Sequence, residues 1–255
     1  MRIATYNVNS IRARSERILA WTRAERPDVL CLQELKTEEK DFPLAAFTDL
    51  GYQAAVWGQK TYNGVALLSL APLTDVTRGL DGGGADEQAR LVSARTQGIV
   101  VYCVYAPNGE APGTEKFAYK LGWMERFTAQ LAPVVAQAAV AVCGDFNVAP
   151  TDADVHDPEG LRETIHVSTP EREALARIVG VGLVDAFRRV HPKERAYTFW
   201  DYRMLGFQKN RGYRIDHLLV TPDLADRLVG AKIDREARKG ERPSDHAPLV
   251  VEISG

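Results

Sequence analysis

Residues 140–150 read VAVCGDFNVAP, an unbroken apolar run that stops at Gly144 and is followed at once by an acid, Asp145, and an amide, Asn147. On an extended backbone residues i and i+2 face the same way, so the two polar groups are expected to emerge together at the rim of a buried strand. Taken alone, Gly-Asp-x-Asn is ordinary turn chemistry. The same pattern recurs along the chain, and the recurrence constrains fold and site together.

Residues 2–6 read as a strand running into Asn7, and the apolar run 28–33 (DVLCLQ) ends in Glu34, with Lys36 just beyond. Segments 51–57, 64–70, 90–95 and 99–105 have the composition of further strands, the last passing Tyr105 into the turn Ala106-Pro107-Asn108-Gly109. Residues 214–220 (RIDHLLV) place Asp216 near a strand start, and 248–253 (PLVVEI) follow Ser244-Asp245-His246. Three helices are expected. The first is capped by Ser10, runs to about Ala24 with Ile11, Ile18 and Leu19 inward, and is closed by Pro27. The second spans 114–131, where Phe117, Leu121, Met124, Phe127 and Leu131 recur every three or four residues. The third spans 171–179, with Thr169 as cap and Pro170 at its first position. DGGGADE, 81–87, reads as a loop.

Short strands with helices between and outside them predict an α/β fold of two packed sheets with helices on the outer faces. No Pro/Gly/Ser-rich linker, long charge block or repeat divides the 255 residues, so a single domain over 1–255 is expected. Cys31, Cys103 and Cys143 each sit in an apolar run without C-x-x-C spacing, the pattern of reduced core residues. The first residues lack a signal-peptide pattern and no run is long enough to span a bilayer, so a soluble, cytoplasmic protein with no membrane partner is expected. A net charge of −2 excludes no ligand class, because nucleic acid needs only a local basic face.

Asn7, Glu34, Tyr105, Asp145, Asn147, Asp216, Asp245 and His246 all lie at or beside predicted strand ends. If those ends converge, four carboxylates and an imidazole crowd together, which requires a cation or mutual hydrogen bonds. Oxygen donors without paired cysteines or clustered histidines point to Mg²⁺ or Mn²⁺ rather than Zn²⁺. His217, adjacent to Asp216 on a strand, faces the other side and reads as structural, which leaves His246 for chemistry. Residues 187–214 carry eight Lys/Arg against two acids and seven aromatics, a composition suited to phosphate tracking and stacking.

TYNVNSIRAR, LCLQELK, YNGVALLS, VYAPNG, GDFNVAPTD, DAFR, YTFWDYR, RIDHLLV and SDHAP stand in the order and approximate spacing of the exonuclease III family of apurinic/apyrimidinic endonucleases. The chain resembles that family over essentially its whole length. The family belongs to the endonuclease/exonuclease/phosphatase superfamily that includes deoxyribonuclease I. The resemblance implies a four-layered α/β sandwich of two mixed sheets flanked by helices. It also implies a Mg²⁺- or Mn²⁺-dependent nuclease, monomeric, acting on double-stranded DNA at abasic sites or blocked 3′ ends. By the same resemblance Glu34, with Asn7 and Asp245, is a metal ligand. Asp145 handles the proton of the attacking water or leaving oxygen and Asn147 orients it. His246, held by Asp216, polarises the phosphate, and Tyr105 contacts it. Arg90, Asn108, Lys209 and Arg211 are expected DNA contacts, and Phe199, Tyr213 and Ile215 an abasic-sugar pocket, where relatives often carry tryptophan at the position of Tyr213. The superfamily motifs are shared with lipid phosphatases and phospholipases, which remain the alternative, as does a catalytically silent DNA-binding relative.

Overall fold

Strands that are apolar on both faces need a cover on each side, and this chain covers one sheet with another and the outer faces with helices. The computed structural model describes residues 1–80 and 86–255. Its strands, in chain order, are β1 (Arg2–Asn7), β2 (Val29–Gln33), β3 (Gln53–Trp57), β4 (Val65–Ser69), β5 (Thr74–Arg78), β6 (Leu91–Thr96), β7 (Ile99–Tyr105), β8 (Val140–Asp145), β9 (Val184–Asp185), β10 (Asp216–Val220), β11 (Leu228–Ile233) and β12 (Leu249–Ile253). The α-helices are α1 (Ile11–Glu25), α2 (Leu44–Thr48), α3 (Glu115–Val135), α4 (Thr169–Gly180), α5 (Ala186–Val190) and α6 (Pro222–Ala225). One sheet has the order β11-β12-β1-β2-β4-β3 and the other β5-β6-β7-β8-β10-β9. Each is mixed: β1 with β2 and β7 with β8 are parallel, and the other neighbours antiparallel.

Side-chain alternation sorts each strand between two layers. Ile3, Val29, Cys31 and Leu67 of the first sheet pack in one core with Val101, Cys103, Cys143 and Leu218 of the second. Their neighbours Ala4, Leu30 and Leu32 face outward onto Ile11 and Ile18 of α1. On the far side Tyr102, Val140 and Val142 meet Trp123, Phe127 and Leu131 of α3 and Leu175 and Ile178 of α4. The result is the four-layered sandwich the sequence predicts. The three cysteines are free and buried in the inter-sheet layer. Among the described residues no helix is long and apolar enough to cross a membrane.

Register places the polar strand ends at one edge. Tyr105 pairs with Asp145 across β7 and β8, and Asp145 with Asp216 across β8 and β10. In the other sheet Asn7 pairs with Gln33, one residue before Glu34.

Several sequence expectations differ in detail. The edge strands β5 and β11 escape notice because β5 (TDVTR) is exposed throughout and β11 (LVGAKI) is nowhere fully buried, so neither shows an apolar run. The helix at 169 is capped by Ser168, whose capping box with Glu171 displaces Thr169 from that role and moves Pro170 past the first position. The second helix continues through Pro133 to Val135. The strand expected from Arg214 begins at Asp216. Asp81 to Ala85 of the expected loop lie outside the described residues, while Asp86 and Glu87 have no regular structure.

Gly144 is required by the close approach of β7 and β8, since a Cβ there would stand 1.9 Å from the carbonyl oxygen of Val104. Gly144→Ala is therefore expected to destabilise the protein by about 2 kcal/mol or more, the upper part of the usual range for overpacking a core. An unchanged unfolding midpoint in urea would contradict this.

Candidate active site

Asn7, at the end of β1, bridges two acids: its Nδ2 donates to Glu34 Oε1 at 2.8 Å and to Asp145 Oδ2 at 2.9 Å. Glu34 stands one residue beyond β2 with φ 54°, in the left-handed region that costs a non-glycine residue energy. Backbone bonds from Ser10 to the Glu34 carbonyl and from Leu35 to Gly64 hold that turn. The Lys36 ammonium lies 2.8 Å from Glu34 Oε2 and donates to Asn9, and Asn9 Nδ2 donates to Asp245 at 2.9 Å.

Asn147 does not continue β8. Its φ is 54° and its N–H donates to Asp145 Oδ1 at 2.8 Å, so a tight turn, rather than the two-residue strand period, brings amide and acid together. Asn147 Nδ2 donates to the Ala106 carbonyl, and Asn108 Nδ2 donates to Asn147 Oδ1 at 3.2 Å. His246 Nδ1 is 2.8 Å from Asp216 Oδ2, and its Nε2 is 3.8 Å from Asp145 Oδ2. Glu34, Tyr105, Asp145, Asn147, Asp245 and His246 all line a cavity of about 300 Å³.

Glu34, Asp145 and His246 each offer a ligand atom within 4.8 Å of the others, a group that could hold a metal ion. Asp245, expected beside Glu34, lines the cavity but is outside that group. The oxygen donors of that group, with no thiol, fit a hard divalent cation, while the His246 imidazole is engaged by Asp216.

The other expected residues are distributed unevenly. The guanidinium of Arg90 sits 5.0 Å from the centroid of the Tyr105 ring, at a larger groove of about 740 Å³ that shares Tyr105 and Asn108 with the smaller cavity. Lys209 and Arg211 are exposed and line neither cavity, although Asp201 and Arg203 of the same segment line the smaller one. The reading of 187–214 as a surface for phosphates and bases is corrected for much of its length. Arg214 is buried against Asp154 and Asp185, Arg188 pairs with Asp154, and Phe187, Tyr197 and Trp200 are core residues. Phe199, Tyr213 and Ile215 do share one apolar cluster, but only Phe199 and Ile215 line the cavity. His217 is buried against Arg214 and the Val148 carbonyl, the structural place expected of it. Residues the sequence reading did not single out also stand at or behind the site: Asn9, His166 from a loop, and Lys120 and Glu171 from helices. Asn9 alone had a cue, its position two residues past Asn7.

Burial and then the neighbouring Asp216 charge push the Asp145 carboxyl up to about 7. Burial opposes protonation of His246, but Asp216 and Asp145 outweigh it and hold the imidazole at about 10. Burial also raises Glu34, yet Lys36 and the Asn7 amide keep it below the ordinary carboxylate range. Burial raises the Tyr105 hydroxyl far above its usual value, with Glu34 adding to the effect.

Paired sheets that gather buried acids, amides and an imidazole into one cavity define a site able to hold a cation and move a proton, and the comparisons with known proteins make it that of a phosphodiester hydrolase. The chain belongs to the Endonuclease/Exonuclease/phosphatase family, whose sequence profile matches residues 4–246. It is 34% identical to Exodeoxyribonuclease III of Haemophilus influenzae over 270 residues, covering 99% of this chain and 100% of that protein. Among solved structures it is similar to the 3′ phosphatase NExo from Neisseria bound to a product DNA hairpin (41% identity, TM-score 0.98). It is also similar to an AP endonuclease from Archaeoglobus fulgidus (42% identity, TM-score 0.97), and each structural match covers 100% of both chains. The protein is thus a nuclease of the exonuclease III and AP endonuclease type.

His246 raised to about 10 has a signed consequence for stability. Its contribution is complete below the unfolded value of about 6.5 and is lost as pH rises through about 10. In metal-free protein, ¹⁵N NMR of the imidazole should show His246 charged at pH 8, and Asp216→Asn should lower its midpoint by more than one unit. An imidazole in the native protein already neutral at pH 8 would refute this arrangement.

Proposed function

We propose that this protein repairs DNA by hydrolysing the phosphodiester 5′ to abasic sites and by removing 3′-phosphate and related 3′-blocking groups, with 3′→5′ exonuclease action on the same site. The observation that supports this reading is the convergence of Glu34, Asp145, Asn147 and His246 on one cavity, with Asn7 bridging the two acids from behind. Asp145, at about 7, can take a proton from water or return one to a leaving oxygen near neutral pH. Asn147 sits where it can orient that water. His246, charged and braced by Asp216, neutralises the phosphoryl oxygens as negative charge builds, and Tyr105 keeps its proton and can donate to them. Glu34, with Asn7 and Asp245 nearby, is the residue that would hold Mg²⁺ or Mn²⁺, which leaves Asp145 free for the proton. When bound, the ion supplies Lewis-acid charge at the phosphate. Arg90 and Asn108 at the groove, with Lys209 and Arg211 beyond it, are assigned to the DNA backbone.

The test is incubation of labelled duplexes, one with a tetrahydrofuran site and one with a 3′-phosphate end, with Mg²⁺ or EDTA. Wild-type protein is expected to act on them only with the ion. Asp145→Asn should lose about 10²–10⁴-fold in rate while still binding DNA. Hydrolysis of small soluble phosphoesters and of neither duplex would return the reading to a phosphatase.

A second observation bears on the balance between the two lesions. His166 lines the same cavity, and its ring centroid lies 6.4 Å from that of Phe199 and 5.8 Å from that of Tyr213. Its Nδ1 is 2.7 Å from the Asn147 carbonyl, and burial pushes its pKa down to about 3, so it acts as an uncharged wall. An imidazole at this place in the lining, beside Phe199 and Ile215, would leave less room for an extruded sugar than a smaller side chain would. A terminal 3′-phosphate needs less room, which supports a bias toward 3′-end processing. His166 has φ 72°, a conformation glycine adopts freely. His166→Gly is expected to raise abasic incision relative to 3′-phosphate release by about tenfold, the scale of one small packing contact in a pocket. An unchanged ratio would reject the bias.

A further inference from the structure

Beneath the turns that carry Asn147 and Asn108 lies a lysine with no exposure to water. Lys120 belongs to the inward face of α3, between Phe117 and Trp123. Its ammonium donates to the carbonyl oxygens of Asn147 at 2.8 Å and Asn108 at 3.1 Å, and pairs closely with Glu171. An ammonium has three protons, so these acceptors fill its capacity. Glu171 in turn accepts from the backbone N–H of His166 at 3.2 Å and, through its other oxygen, from Ser168. One buried ion pair thus ties the turn after β7, the turn after β8 and the segment entering α4.

Fold stability alone does not account for such a pair, because well-packed apolar groups in place of a buried ion pair are commonly neutral or stabilising. Apolar groups cannot, however, hold two carbonyl oxygens at fixed points. Both carbonyls belong to asparagines whose side chains meet, Asn108 Nδ2 donating to Asn147 Oδ1 at 3.2 Å beside the cavity. Asn147 is also held in a left-handed conformation, with its carbonyl oxygen shared between Lys120 and His166.

We propose that Lys120, paired with Glu171, is a positioning residue for hydrolysis: its ammonium fixes the Asn147 and Asn108 backbones so that their amides stand correctly over the reacting phosphate. The proposal rests on Asn147 being a site amide, as in the function proposed above. Wild-type protein that fails to turn over either duplex would defeat that function reading instead.

The test uses Lys120→Met combined with Glu171→Gln, which removes both charges and keeps an acceptor for Ser168. Unfolding midpoint, kcat and KM are measured, the last two on the 3′-phosphate duplex. The expected result is a midpoint within a few degrees of wild type, KM within threefold and kcat reduced at least tenfold, the size of loss that slight misplacement of a catalytic group produces. A folded double variant with kcat within twofold of wild type, or with the whole loss in KM, overturns the proposal. If that variant does not fold, Lys120→Arg keeps the charge but replaces the three-donor tripod with a planar fork. It is expected to lose at least fivefold in kcat at unchanged KM, and wild-type kcat overturns the proposal. Failure of both variants to fold would assign Lys120 to stability and overturn it as well.

Discussion

Glu34, Asp145 and Asp216 bring carboxylates into a region that water barely reaches, and charges of one sign so placed are tolerated only if each finds a compensating partner. Glu34 has Lys36 and the Asn7 amide; Asp216 has the imidazole of His246. Asp145 has no cation in hydrogen-bond contact, only an amide on each oxygen and an imidazole 3.8 Å away, and it is the acid whose proton affinity rises toward neutrality. Chemistry at this edge follows from that inequality. Neighbouring acids with unequal partners acquire unequal proton affinities, and the least compensated becomes the one able to exchange a proton at working pH.

The sheets make the crowding possible. The parallel pairs β1–β2 and β7–β8 carry Asn7, Glu34, Tyr105 and Asp145 out at their C-terminal ends, while antiparallel β10 and β12 enter from the same edge with Asp216 and His246. Two-sided packing keeps these ends rigid, and the close contact at Gly144 keeps β7 and β8 in register beneath Asp145. Behind the site, buried ions occur in complementary groups, Lys120 with Glu171 and Arg214 with Asp154 and Asp185. The first group joins two helices, and the second ties the entry to β10 to the segments at Asp154 and Asp185.

The central strands were legible because burial on both faces leaves a continuous apolar run, and their ends were legible because an acid or amide interrupts that run. Asn7, Glu34, Tyr105, Asp145, Asn147, Asp216, Asp245 and His246 could therefore be read from position alone. The edge strands β5 and β11 could not, since neither has a fully buried face, whereas the edge strand β3 buries part of its length and could be read. The basic stretch misled for a related reason: a cation in a sequence looks the same whether it faces water, as Lys209 does, or two buried acids, as Arg214 does.

By itself the sequence determined the layered α/β fold, the polar strand ends and the oxygen-rich character of the edge where they meet, because these depend on local alternation of apolar and polar residues. Only the tertiary structure decided that Asn147 reaches Asp145 through a left-handed turn, that His166 lines the cavity, and that Lys120 and Glu171 are buried beneath the Asn147 turn. Those outcomes depend on which distant segments exclude water from a group and which partner they offer it, and a polar residue on a helix or loop carries no local mark of either.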